Sequence, residues 1–146
     1  MRINLVIIVK LVIMYYIKLT MKNTLLKLLE YFYYFSLFIL FILYLFPGSL
    51  IGYFLYGNLG QQPNLIPNPI GTSINHLIFF SYITTLALII RPKVKNILTD
   101  YKIILFIAVI SEILHFLIPN RAFEFYDLIA NILGVLIIIW IKRFIK

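Results

Sequence analysis

Four apolar runs, each about one bilayer thickness long and almost free of charge, constrain this chain more than any other feature. They cover residues 28–46, 74–90, 103–118 and 125–141. Proline, glycine or basic residues stop each one: Pro47-Gly48, Arg91-Pro92, Pro119-Asn120, and Lys142-Arg143. An apolar helix of about 20 residues spans the roughly 30 Å hydrocarbon core. A backbone inside lipid must satisfy its own hydrogen bonds, so the runs are expected as helices. Hydrophobic residues make up 63% of the 146 residues and charged ones 12%, against about 45–50% and about 25% in soluble domains. The predicted fold is all-α: an integral membrane bundle of four transmembrane helices.

The N-terminal segment, residues 1–27, forms a basic and hydrophobic extension to the domain at 28–146. Its apolar stretch, broken by Lys10 and Lys18, is shorter than a usual span, and no small-residue cleavage site follows it. It reads as an extra or interfacial hydrophobic helix, with a start at Met21 as the other reading. Residues 47–72 carry four prolines, five glycines and no Asp, Glu, Lys or Arg. Such turn residues argue against a continuous helix, and the apolar piece Leu50–Tyr56 is expected in the interface.

Lys and Arg alternate along the chain: five before the first run, none in the first loop, four in the second, one in the third, three at the end. Cytoplasmic loops carry the excess of positive charge. Both termini and residues 91–102 are therefore expected in the cytoplasm of a cell in whose plasma or inner membrane the chain sits. The net charge of +8 is a topology signal on this reading, and no nucleic-acid partner is expected. The absence of cysteine excludes thiol chemistry and disulfides.

That topology gathers the unusual polar residues at the outer face. His76 opens the second run. Glu112 and His115 lie about 5–9 Å below the outer end of the third at 1.5 Å per residue. Arg121, Glu124 and Asp127 occupy the outer turn, and Asn131 follows one turn into the fourth run. Glu112 and His115, three apart, share a helix face, as do Asp127, Asn131 and Gly134. An intramembrane carboxylate costs roughly 3 kcal/mol on insertion scales and marks a functional candidate. A forked pair of Arg121 with Glu112 or Asp127 would offset that charge. The aromatic residues of the first run (Tyr31 to Tyr34, Phe38, Phe41, Tyr44) read as lipid-facing bulk.

The candidate ligand-binding residues are thus His76, Glu112, His115, Arg121, Asp127 and Asn131, with no catalytic residue assigned. His76, Glu112, His115 and Asp127 have the donor chemistry of a metal site, but no short ligand motif such as HExxH accompanies them. No metal or other cofactor is assigned.

The run from Ser111 to Gly134 resembles the signature of VanZ-like membrane proteins. In that family a Glu on the third span is followed by a Pro-x-Arg turn, then by Asp, Asn and Gly opening the fourth. The matching positions are Glu112, Pro119, Arg121, Asp127, Asn131 and Gly134; His76 with Phe79 and Phe80 is similar to an earlier family feature. The likeness covers about residues 45–137. It departs where the family carries Asp-Lys ahead of His76 and this chain has Thr72-Ser73-Ile74-Asn75, a Gln at the position of His115, and a Gly at that of Ile138. The family includes a protein associated with resistance to the glycopeptide teicoplanin. The resemblance implies a multi-pass cell-envelope protein with an outer-leaflet pocket for a lipid head group, an envelope precursor or an amphiphilic antibiotic. Two other classes stay open: a membrane-surface enzyme pairing Glu112 and His115 as acid and base on a lipid-linked substrate, and a structural or assembly subunit. A transporter fits poorly, because the inner halves of the runs hold no polar path.

Overall fold

A computed structural model describes residues 5–62 and 71–145. Expectations for Pro63, Pro67 and Pro69 fall outside these residues. The described residues are helical, without strands: α1 (Leu5–Leu45), α2 (Leu50–Tyr56), α3 (Gly71–Ile90), α4 (Tyr101–Ile113) and α5 (Phe125–Phe144). Three of them, α1, α3 and α5, are long and apolar enough to cross a membrane. The segment expected as the third span is shorter. It has 13 α-helical residues and a 3₁₀ turn at Leu114–Phe116, together about 26 Å at the rises of the two helix types. That is less than the roughly 30 Å of hydrocarbon.

The 41 residues of α1 make a rod of about 60 Å, twice a bilayer's apolar thickness. From Leu5 onward the described part of the N-terminal extension belongs to this helix without a break. Lys93, in the turn after α3, donates to Asn23; residues 11–25 are exposed. Beyond that point α1 turns one seam inward. Tyr33, Leu37, Leu40 and Tyr44 are buried at the four-and-three spacing of a helix-packing stripe. Tyr33 and Tyr44 thus leave the lipid-facing set to which the sequence assigned them. Tyr31, Phe32, Phe38 and Phe41 remain exposed, and Tyr34 is half-buried.

Local chemistry explains the breaks. Pro47 has no N–H and ends α1. Gly48 adopts φ +85°, and Gly52 lies so close to Gln61 that a Cβ there would meet its carbonyl oxygen at 1.6 Å. Ser49 caps α2 by accepting from the Gly52 N–H at 2.9 Å, and Gly57 ends it in the left-handed region. Residues 47–61 therefore fold back as a compact hairpin around one short helix. At the opposite end, the lone acid of the basic loop has two partners: Asp100 caps α4 through the Lys102 N–H at 3.0 Å and receives Arg91 at 2.8 Å.

The core joins α1 to Phe80, Ile83, Ala87 and Ile90 of α3, Ile104, Ile107 and Ala108 of α4, and Val135 of α5. The outward faces are equally apolar: Ile78, Ile89, Phe106, Leu133, Leu136 and Trp140 are all exposed. An oily exterior around an oily core is compatible with membrane insertion. Helix α5 packs chiefly against α3 rather than against α4, its neighbour in sequence. Gly134 permits this approach, because a Cβ there would lie 2.6 Å from the Leu77 carbonyl oxygen and 3.1 Å from the Ser81 nitrogen. Backbone cannot yield as a side-chain tip can. Gly134→Ala is expected to destabilise by about 1–3 kcal/mol, the usual range for overpacking, read as a lowered thermal midpoint in detergent. An unchanged midpoint would contradict the close approach of α3 and α5.

Candidate functional site

Four helix ends meet where α1 finishes, α3 begins, α4 finishes and α5 begins, and every residue singled out at the outer level lies there. Glu112 is fully buried. Its Oε1 accepts from the backbone N–H of Glu124 at 3.1 Å and faces His115 Nδ1 at 3.1 Å. The 3₁₀ turn following α4 brings His115 back over Glu112. Glu124 is the N-cap residue of α5, so the carboxylate sits at the positive end of that helix. Asp127 occupies the first turn of the same helix and is 3% exposed.

His76 stands between the two acids. Its Nε2 lies 3.4 Å from Asp127 Oδ2, and its Nδ1 lies 3.9 Å from Glu112 Oε2. Ser73, one turn earlier on α3, donates to Asp127 Oδ1 at 2.5 Å. Asn131 ties three helices together. Its Nδ2 donates to the Ala108 carbonyl of α4 at 3.2 Å, and its Oδ1 accepts from the Tyr44 hydroxyl of α1 at 2.9 Å and lies 3.2 Å from His76 Nδ1 on α3.

The network also sets a tautomer. The Asn131 amide is oriented by its bond to Ala108, so Oδ1 faces Tyr44 and His76. Tyr44 has one hydroxyl proton and gives it to Asn131, so it accepts from His76 Nδ1 at 2.7 Å. Nδ1 therefore carries hydrogen, and Nε2 is the nitrogen turned toward Asp127. Tyr44 further stacks on His115, with ring centroids 5.6 Å apart and planes 20° apart.

Arg121 has another role than the forked carboxylate pair expected for it. Pro47 cannot donate to the carbonyl four residues earlier, which leaves Leu43 without its helical partner. Arg121 Nη2 donates to that Leu43 oxygen at 2.5 Å, and Nε donates to Phe46 at 3.3 Å. The guanidinium caps α1 and makes no ion pair among the described residues. Burial lowers its pKa from the usual value, against the opposing pull of Tyr44, Glu112 and Asp127.

Beside the cluster is a cavity of about 140 Å³. Leu43, Leu50, Ile51 and Phe79 wall it; Tyr44, His76, His115 and Arg121 supply its polar side. All six residues chosen from sequence therefore share one neighbourhood. Tyr44 and Ser73 were missed: Tyr44 stands in a run that is apolar on nearly every face, so the sequence did not set its 33–37–40–44 stripe apart. Ser73 gave no signal, because serine at a helix start is ordinary.

Replacing Tyr44 with Phe keeps the stacking and removes the hydroxyl between Asn131 and His76. A loss of about 1–3 kcal/mol is expected, the cost of leaving buried polar groups unpaired, measurable by thermal unfolding. A fully stable variant would show that the hydroxyl is dispensable. Glu124 has an exposed side chain, and its pKa is raised by partial desolvation, then by Asp127 and Glu112. A raised carboxyl pKa adds stability at low pH, and that stability is lost as pH rises from the ordinary value of 4.5 through the folded-state value. Glu124→Gln is therefore expected to raise the melting temperature slightly at pH 7, with the gain vanishing below the ordinary value. A gain that persists or grows in acid would contradict the assignment. No protein-family model, no curated protein and no solved structure matches this chain.

Proposed function

We propose that this is a VanZ-like multi-pass protein of the cell membrane, with four spans and both termini in the cytoplasm, whose outer-side pocket binds the anionic head group of a membrane amphiphile. Three helices of spanning length support the membrane reading. Helix α4 and its 3₁₀ turn run alongside them between the same two levels, as a fourth, short span held by protein contacts. The basic residues Arg91, Lys93, Lys95, Lys102, Lys142 and Arg143 all belong to one end of the bundle, and the Glu112 cluster belongs to the other. That separation is what the positive-inside rule asks of a cytoplasmic and an external face.

The observation that carries the binding reading is the cavity at the end of the helices. Ligand sites are concave and largely apolar, with a few polar groups that orient the occupant. Here apolar walls from α1, α2 and α3 meet a guanidinium and two imidazoles at head-group depth. A lipid, a lipid-linked envelope precursor or an amphiphilic antibiotic would place its chain against the apolar walls. Its phosphate or carboxylate would meet Arg121 and His115. The density of internal bonds around Glu112 favours a second reading, in which the cluster only locks the four helix ends of a structural subunit.

One experiment separates the two. The wild-type protein, purified in mild detergent, is expected to carry an anionic amphiphile enriched over the host membrane, identified by mass spectrometry. Ile51→Trp, which fills the cavity mouth without touching the cluster, should reduce that retention about tenfold, or about 1.4 kcal/mol. Arg121→Gln should do the same while keeping its helical circular dichroism. A wild-type lipid profile that mirrors the host membrane, or one that neither variant alters, would leave the structural reading.

A further inference from the structure

We infer that His76, Glu112 and Asp127 form a binding site for a divalent first-row transition cation such as zinc or manganese. One ligand atom from each residue lies within 4.8 Å of the other two. Donor atoms around such an ion, at about 2.0–2.2 Å from it, lie about 3.4 Å apart in tetrahedral geometry. The His76 Nε2 to Asp127 Oδ2 distance is already 3.4 Å. The other pairs, within 4.8 Å, would have to close by up to about 1.4 Å, within the reach of side-chain rotation.

The wiring of the three residues is what points to a cation. In His76 and Asp127 one polar atom is held by a fixed partner and another faces the group, and Glu112 adds a buried, unpartnered oxygen 3.9 Å from the His76 ring. In His76, Nδ1 is engaged by Tyr44 and Asn131, and Nε2 faces Asp127. In Asp127, Oδ1 accepts from Ser73, and Oδ2 faces His76. In Glu112, Oε1 is held by Glu124 N–H and His115, while the fully buried Oε2 has no hydrogen-bond partner. Metal ligands are characteristically held in this way, their outer atoms fixed by hydrogen bonds that orient the inner ones.

Charge points the same way. Buried carboxylates need a counter-charge or a metal, and no Lys or Arg pairs with Glu112 or Asp127 among the described residues. Arg121, the cation expected for that task, is committed to the α1 carbonyls. With Nδ1 carrying the hydrogen, a neutral His76 would point a lone pair at an ionised carboxylate. A dication between them turns that repulsion into coordination and neutralises both acids. Mixed imidazole and carboxylate donors suit zinc, manganese and iron better than calcium or magnesium.

The site does not depend on the amphiphile reading, because its ligands bind the ion without any occupant in the cavity. The sequence also makes the test clean. The chain has two histidines and no cysteine, so the only other imidazole ligand is His115, which lies against Glu112. Protein prepared without a polyhistidine tag, stripped with chelator and re-equilibrated in detergent, is titrated with Zn²⁺ alone and with Mn²⁺ alone. Bound metal is read by plasma mass spectrometry and by the thermal midpoint. Stoichiometric binding, zinc tighter than manganese, and a raised midpoint are expected. Asp127→Asn and His76→Gln should each weaken binding by about 100-fold or more while retaining helical circular dichroism, at or beyond the upper end of losses seen for supporting residues. Sub-stoichiometric binding by folded wild-type protein would overturn the site. So would full binding by folded Asp127→Asn. A wild-type protein that binds metal but retains no lipid would keep this site and remove the amphiphile pocket.

Discussion

Glu112 is a carboxylate with no exposed surface near the end of an apolar helix, and the architecture at that end is arranged around holding it. Three independent pieces of chain converge to do so. The N-cap backbone of α5 supplies an N–H, the 3₁₀ turn after α4 supplies an imidazole, and α3 brings a second imidazole within 3.9 Å. A carboxylate in hydrocarbon without such partners is unfavourable by several kcal/mol. The helix ends must therefore meet in one arrangement, and α4 is kept short enough that Glu112 and His115 lie beside the start of α5. Asn131 and Tyr44 extend the same constraint to α1, so that α1, α3, α4 and α5 share one polar junction.

The junction is also where helix termination becomes useful. Proline ends α1 and orphans the Leu43 carbonyl, and that vacancy draws Arg121 across from the α4–α5 turn. A guanidinium fixed on carbonyl oxygens is held at the cavity wall rather than collapsed onto the acids. The acids are left facing imidazole. One device, a proline-broken helix, thereby sets both the cap and the unusual charge distribution beneath it. At the other end of the bundle, Asp100 does conventional work, capping a helix and pairing with Arg91. Glu112 contrasts with it, because its buried Oε2 has no hydrogen-bond partner.

Much of this was legible in the residues. The helical segments follow from apolar runs and their breakers, and observed ends lie within a few residues of those expected for α3 and α5. The six candidate residues also occupy one level, because antiparallel helices put the ends of alternate runs side by side. The partners within that level were not legible. Periodicity placed Glu112 with His115 and Asp127 with Asn131 on common faces, but gave no means of choosing between α3 and α4 as the chief neighbour of α5. It also counted Tyr44 as bulk, since an aromatic residue in an apolar run looks alike on either face.

By itself, then, the sequence determined an all-helical chain of apolar helices with a charged end and a polar end, because these depend only on local hydropathy, capping and breakers; that three of the helices, not four, reach membrane length came from the structure. Tertiary structure decided that Gly134 seats α5 on α3, that Arg121 serves α1, and that His76, Glu112 and Asp127 converge. Those outcomes depend on which faces touch. Residues 76, 112 and 127 are far apart along the chain, and only packing fixes the few ångströms that separate a shared membrane level from a common site.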